Sequence, residues 1–394
     1  MDIKNNRLNA IDLLRGLTMI LMIFVNDLWS LKGVPKWMLH VAPDADGIGL
    51  SDIVFPAFLF IVGLSLPLAV DARRHKGHTE AAIARHIITR SVALIIMGLF
   101  LVNGEYMNMT TTGMSRHAWY VACCISFILI WNAYPTTLSQ TSKRILQSMG
   151  IIMLLILAYM YRGGKDDAPT GFQPHWWGIL GLIGWAYLTA GLITVAAKDR
   201  TAVIVGAWFF FTVISMLHHA KIIPAFFYVL PEPIIGGTMT ALVLGGVWTM
   251  NIVRKYTNGN QSGRLTATLM AAIAVLCVLS AITRPIWGLS KQAATPAWLF
   301  LCSAITLAGL LIIQRVTERT GKAAWLNFAR PAGRDTLLTY LMPFFVYAAA
   351  VASGLHLPEF MLTGGIGLLK SMIFAMLCVW ITSLLSGVGV TLRL

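Results

Sequence analysis

The chain has 394 residues, of which 57% are hydrophobic and only 12% charged, about half the charged fraction of an average soluble domain. That composition excludes a soluble enzyme, and repeated apolar runs of about 20 residues, the length that crosses hydrocarbon as a helix, exclude a β-barrel. The formal charge of +14 does not signal a nucleic-acid partner, because most of the lysines and arginines fall in alternate loops, the positive-inside bias that sets orientation in a bilayer.

The first span is expected over residues 10–29 and opens with Asp12 and Arg15, one helical turn apart and able to pair on one face. It is longer than a signal-peptide core and no small-residue cleavage site follows it, so it is expected to remain in place. The second span, over residues 51–70, leads into an inner loop bearing Arg73, Arg74, Lys76, Arg85 and Arg90. Spans three to five end near Val102, Trp131 and Tyr161, and an outer loop ending in Trp176 and Trp177 follows them. Spans six and seven, over 179–197 and 202–217, form a hairpin turned by Lys198 to Arg200. Span eight carries Gly236, Gly237, Gly245 and Gly246, a spacing that lets helices approach closely. Spans nine and ten flank an outer segment ending at Pro296, and the longest inner loop, residues 314–335, precedes spans eleven and twelve over 336–354 and 365–385. The expectation is an all-α polytopic membrane protein with about twelve transmembrane helices and both termini cytoplasmic. No connection is long enough for a second domain, so residues 1–394 are expected to form one integral-membrane domain.

Polar chemistry gathers between the first two spans. Asn26 and Asp27 close the first, Asp52 opens the second, and the loop between them carries His40, Asp44 and Asp46. Ionisable side chains between two membrane-length segments are costly to hold and mark a functional site. Histidine is the side chain in that loop suited to proton or acyl transfer at neutral pH. Taken alone a loop histidine is more often incidental; the flanking residues change that. A carboxylate beside an imidazole orients the ring and stabilises its cation, and an asparagine amide can donate to a developing oxyanion. Asn26, Asp27 and Asp52 are therefore expected to line one outer-face pocket with His40. Asp44 and Asp46 read first as turn residues, with capture of a cationic amine as the alternative. On the inner side Arg73, Arg74 and Arg90 can cradle a polyanion, and Arg90, at the mouth of span three beside Ser91, is best placed to pair with a phosphate. The Asp12–Arg15 pair reads equally as a topology anchor or as a ligand-facing group. No serine-nucleophile motif, phosphate loop or HExxH pattern occurs. The five cysteines lie in apolar runs and the outer histidines lack regular spacing, so neither a disulfide nor a metal site is expected.

The succession RLNAIDLLRG, LMIFVND, a loop histidine and GLSDIVFPAFLFIVGLSL resembles the transmembrane acetyltransferase family of heparan-α-glucosaminide N-acetyltransferase, with its bacterial DUF5009 and NagX-type relatives. The likeness is specific over Arg7 to Leu66, and Arg90–Ser91, Ile286 to Ala297 and Arg334 to Tyr340 look like later family segments. It implies an enzyme that takes an acetyl group from cytosolic acetyl-CoA, a co-substrate, and delivers it across the membrane to the amino group of a glucosamine. By the same resemblance His40 is the active histidine, Asn26 and Asp52 attend it, and Asp12, Arg15 and Arg90 face the cytoplasmic side. The implied partners are the lipid bilayer and an amino-sugar or oligosaccharide acceptor, with a homodimer left open.

Two departures bear on this. The family often has a tryptophan-asparagine-glycine run after the histidine, where this chain reads HVAPDADGIG, which touches the acceptor more than the chemistry. The hairpin of spans six and seven is additional to the lysosomal enzyme's core. That enzyme's large N-terminal luminal region has no counterpart before Met1, so a bacterial inner membrane is the expected location. Two alternatives remain open: O-acetylation of a cell-surface glycan or lipid-linked sugar, and a sugar transporter without acyl transfer. Against the transporter, polar residues crowd into the first span pair and no repeat relates the two halves.

Overall fold

The structure, a computed structural model, describes residues 3–198, 200–259, 261–320 and 324–394. Asp199 of the expected turn and Gly321 to Ala323 of the longest loop lie outside the described residues. The long helices are α1 (Ile3–Asp27), α2 (Leu50–His75), α3 (Glu80–Tyr106), α4 (Arg116–Trp131), α5 (Gln140–Met160), α6 (Ile179–Ala197), α7 (Thr201–His219), α8 (Thr238–Asn258), α9 (Ser262–Trp287), α10 (Pro296–Thr320), α11 (Thr336–Ala352) and α12 (Gly364–Gly387). A two-stranded hairpin, Gly163–Lys165 against Ala168–Thr170, decorates the α5–α6 connection. The chain is an all-α, polytopic membrane protein.

These segments are helices because hydrocarbon offers no partner to backbone N–H and C=O groups, which must then pair within the segment. Side-chain polarity is handled in the same way. Thr18, Thr249 and Thr306 return their hydroxyls to the carbonyls of Leu14, Gly245 and Cys302, at 2.8, 2.9 and 2.7 Å. Thr79, Ser115 and Ser139 cap α3, α4 and α5 by accepting N–H groups of the first turn.

Among the described residues eight helices are long and apolar enough to cross a membrane: α2, α3, α5, α6, α7, α9, α10 and α12. A ninth is added if the pair Asn327–Arg334 and Thr336–Ala352, bent by 95°, counts as one span. The other segments expected to cross fall on α1, which carries Asp12, Arg15 and Asp27, on the shorter α4, and on α8. α8 is buried mainly over residues 238–250, and Asn251, Arg254 and Lys255 make its last turns polar.

α8 lies against α2 at backbone distance. A Cβ on Gly63 would fall 1.9 Å from the Val243 carbonyl oxygen, and one on Gly246 would fall 2.0 Å from that of Phe60, so only glycine permits the crossing. α1 runs through the middle of the bundle, packed by α2, α10, α11, α12 and the short helix Arg330–Arg334. α5 and α9 stand at the periphery with Ile151, Leu155, Val275 and Ile282 exposed, apolar surface that suits a lipid solvent.

Candidate active site

The loop from α1 to α2 is shaped by Gly49 and Asp52. A Cβ on Gly49 would fall 1.9 Å from the Leu39 carbonyl oxygen, so glycine lets residues 37–39 pass directly over the start of α2. Asp52 sits in the first turn of that helix, where the exposed N–H groups favour a carboxylate. One of its oxygens accepts the N–H groups of Val41 and Gly49, both at 3.0 Å, and the other meets His40 Nδ1 at 2.6 Å. The Trp298 indole on α10 donates to the Asp52 backbone carbonyl at 3.0 Å. Asp52 is 3% exposed and His40 45%. A carboxylate only accepts, so this bond assigns the proton to Nδ1 and leaves the Nε2 lone pair free.

A second segment closes on the same ring. Asp46 accepts Arg284 Nε at 3.0 Å and the Leu289 N–H at 2.7 Å, while the Gly47 N–H reaches the Leu289 carbonyl at 2.9 Å. The Leu289 N–H, with Arg284 beside it, holds the Asp46 carboxyl below its usual range. This clasp brings Lys291 Nζ to 3.3 Å from His40 Nδ1. Burial lowers the Lys291 ammonium from its ordinary proton affinity, and the Asp52 charge partly opposes that.

Asp27 and its neighbour Asn26 part company at the end of α1. Asp27 is fully buried and accepts from Tyr347 of α11 at 2.5 Å and from Lys370 and Ser371 of α12 at 2.8 and 2.6 Å. It fastens three helices together and offers nothing to a substrate. Asn26 is exposed. It continues the face of α1 that carries Asp12, Arg15, Met19 and Met22, since i, i+3 and i+4 positions share a face.

That face lines a cavity of about 580 Å³ bordered by α1, α2, α3, α6, Arg334, the start of α11 and the C-terminal Leu392 and Leu394. One end is polar, with Asp12, Arg15, Arg90 and Arg334. Arg15 donates to Asp12 and to the Gly333 carbonyl, each at 3.1 Å, and to the Ser65 hydroxyl. The Arg90 guanidinium lies over the Tyr187 ring, 5.2 Å from its centroid. The other end is apolar and stops at Met22 and Phe58, so His40 is not among the lining residues. At 1.5 Å per residue, Asn26 stands about 6 Å beyond Met22 and Asp52 about 9 Å beyond Phe58 along their helices. The size suits a small-molecule ligand. Three arginines at one end and an apolar remainder fit a molecule with an anionic head and an uncharged arm.

The expected residues thus divide. His40 and Asp52 are joined directly, and Asp12, Arg15 and Arg90 meet in the cavity with Asn26 on the same helix face. Arg73 and Arg74 do not line it: Arg73 pairs with His86 at 2.6 Å and Arg74 with Glu80 at 2.8 Å. Asp46 is engaged by Arg284, and Asp44 is exposed in a turn. Residue-by-residue reading of the sequence passed over Lys291, Arg334 and Lys370. Lys370 had a signal, a lone lysine inside an apolar run. For Lys291 and Arg334 the signal was the family resemblance of the segments that hold them, Ile286 to Ala297 and Arg334 to Tyr340, which does not single out either side chain.

Residues 7–230 match the family described as Domain of unknown function (DUF5009). Among curated proteins, heparan-alpha-glucosaminide N-acetyltransferase of Mus musculus is 35% identical over 101 residues, 26% of this chain and 15% of that protein. The Homo sapiens protein of the same name is 34% identical over 100 residues, 25% of this chain and 14% of its own length. The matched stretch spans about a seventh of either relative.

Proposed function

The chain belongs to the DUF5009 family, and from that premise we propose that it is a transmembrane N-acetyltransferase. It moves an acetyl group from cytosolic acetyl-CoA to the amino group of a glucosamine-type sugar at the opposite face of a bacterial inner membrane. The observation that carries this reading is the 2.6 Å bond between His40 Nδ1 and Asp52, which leaves a basic nitrogen free at the rim of the bundle. In this reading about twelve helices cross the bilayer, both termini are cytoplasmic, and the arginine end of the cavity faces the cytosol.

The CoA phosphates bind Arg15, Arg90 and Arg334, where guanidinium forks suit phosphate oxygens. The pantetheine arm runs along the α1 face past Met22, a side chain flexible enough to give way, and brings the thioester to Asn26. The acceptor amine arrives from the other side. His40 Nε2 takes the amine proton as the nitrogen attacks the carbonyl carbon, or first accepts the acetyl group itself. Asp52 stabilises the imidazolium, and the Asn26 amide contacts the carbonyl oxygen. In direct transfer the C–S bond then breaks and the sulfur takes the proton from His40 Nε2; on the acetyl-histidine route the sulfur leaves as thiolate and is protonated from Nε2 once the amine has displaced the acetyl group. The two orders differ in kinetics: a burst with acetyl-CoA alone marks the acetyl-histidine route.

The test is acetyl-CoA turnover by purified protein with glucosamine, wild type against His40→Ala. A fall of about a thousandfold or more is expected, and unchanged turnover removes His40 from the chemistry. Product analysis with amino and non-amino sugars separates N- from O-acetylation. Sugar uptake by proteoliposomes without acyl-CoA consumption is the transporter's result.

A further inference from the structure

We propose that Lys291 is a catalytic residue of the His40 centre, its ammonium standing beside the thioester carbonyl oxygen as that oxygen becomes an oxyanion. The inference rests on the acyl-transfer reading above and adds a residue to it. Lys291 Nζ is 3.3 Å from His40 Nδ1, yet that nitrogen carries the proton bound to Asp52, so the ring offers Lys291 no lone pair. Its N–H groups therefore remain available to another acceptor next to the imidazole.

The surroundings explain why no fixed counter-ion claims it. Asp52 gives its oxygens to His40, Val41 and Gly49, and no ion pair joins it to Lys291 among the described residues. Asp46 and Arg284 engage each other. The Cys302 thiol of α10 is buried, and the His219 ring of α7 meets the Ala293 carbonyl, two residues after Lys291, at 2.8 Å. The segment that carries Lys291 is firmly held, by the Asp46–Leu289 clasp and by the Ser290 N–H on the Thr295 hydroxyl at 3.1 Å. A half-buried lysine without a paired carboxylate is costly. Such a group beside a catalytic imidazole is suited to charge that appears only during reaction.

In the step, the amine nitrogen bonds to the carbonyl carbon and passes its proton to His40 Nε2. The carbonyl oxygen takes up the π electrons beside the Lys291 ammonium. Collapse returns them, breaks the C–S bond, and the sulfur receives the proton from His40. Lys291 stays protonated from start to finish.

The experiment compares Lys291→Met and Lys291→Arg with wild type in the full-length protein, using acetyl-CoA and glucosamine across pH. Lys291→Met should lower kcat by about 10²–10³-fold, the loss typical of an oxyanion donor, with KM for acetyl-CoA little changed. In wild type kcat should fall at alkaline pH below the ordinary lysine value of 10.5, as the ammonium loses its proton. In Lys291→Arg that limb should vanish, because a guanidinium stays charged, and a merely structural lysine would produce no such difference. Wild-type kcat in Lys291→Met, or an alkaline limb unchanged in Lys291→Arg, overturns the inference and leaves the acyl-transfer reading standing. Absence of turnover in wild type overturns both. If Lys291→Met does not fold, the alkaline limb of Lys291→Arg decides alone.

Discussion

Replacing Asp52 by asparagine tests the link between fold and chemistry most directly. The carboxylate gathers three donors within 3.0 Å: His40 Nδ1, the Val41 N–H and the Gly49 N–H. In Asp52→Asn the amide oxygen can keep the two backbone donors, as these share one carboxylate oxygen. The amide nitrogen must then face Nδ1. A donor facing a donor turns the ring to its other tautomer, with the proton on Nε2 and no lone pair toward the amine. Loss of the correct tautomer in a comparable carboxylate–imidazole pair costs about 10⁴-fold in kcat, so a fall of about 10³–10⁴-fold is expected, or about 4–5.5 kcal/mol of barrier. Stability should drop by only about 1–2 kcal/mol, because the backbone bonds survive and one charged hydrogen bond is lost. The assay is CoA-thiol release with glucosamine, run beside calorimetric binding of CoA, which the substitution should leave unchanged since Asp52 is not in the cavity. Turnover within threefold of wild type would refute the assignment of His40 as a base oriented by Asp52.

Other outcomes follow from the same structure. Arg90→Gln and Arg334→Gln should each raise KM for acetyl-CoA by about tenfold, the worth of one charge-assisted hydrogen bond, with kcat nearly unchanged; steady-state kinetics at saturating acceptor checks this. Gly246→Val should lower the melting temperature in detergent sharply, because a Cβ there meets the Phe60 carbonyl oxygen at 2.0 Å; an unchanged melting temperature would contradict the close α2–α8 crossing. Lys370→Met leaves the buried Asp27 without its cation and should cost about 3–5 kcal/mol, while adding Asp27→Asn should recover part of the loss; chemical denaturation of the single and double variants measures the coupling. Because the Leu289 N–H and Arg284 hold Asp46 below 3.8, the clasp contributes at every pH above that value and weakens as pH falls through the lowered one. Hydrogen exchange at the Leu289 amide should accordingly be slow at pH 5 and quicken only in stronger acid.

Several features of this molecule were legible in the sequence because they depend on neighbours along the chain. Apolar runs become helices wherever backbone groups must pair internally. Asp12 and Arg15 meet because three residues make a helical turn. His40 and Asp52 are twelve positions apart across a loop tightened by Gly49. Tertiary structure decided the rest. The sequence puts Asn26 and Asp27 side by side, but adjacent helical positions point about 100° apart, and only the placement of α11 and α12 shows which one is locked in the core. Arg73 and Arg74 lie in a basic run, yet their partners, which fold back from α3 and α6, keep them out of the cavity. Lys291 reaches His40 across 251 positions and Arg15 reaches Gly333 across 318. Periodicity tells which face of a helix is polar; it carries no information about which distant segment that face will meet, because packing of the whole bundle sets that choice.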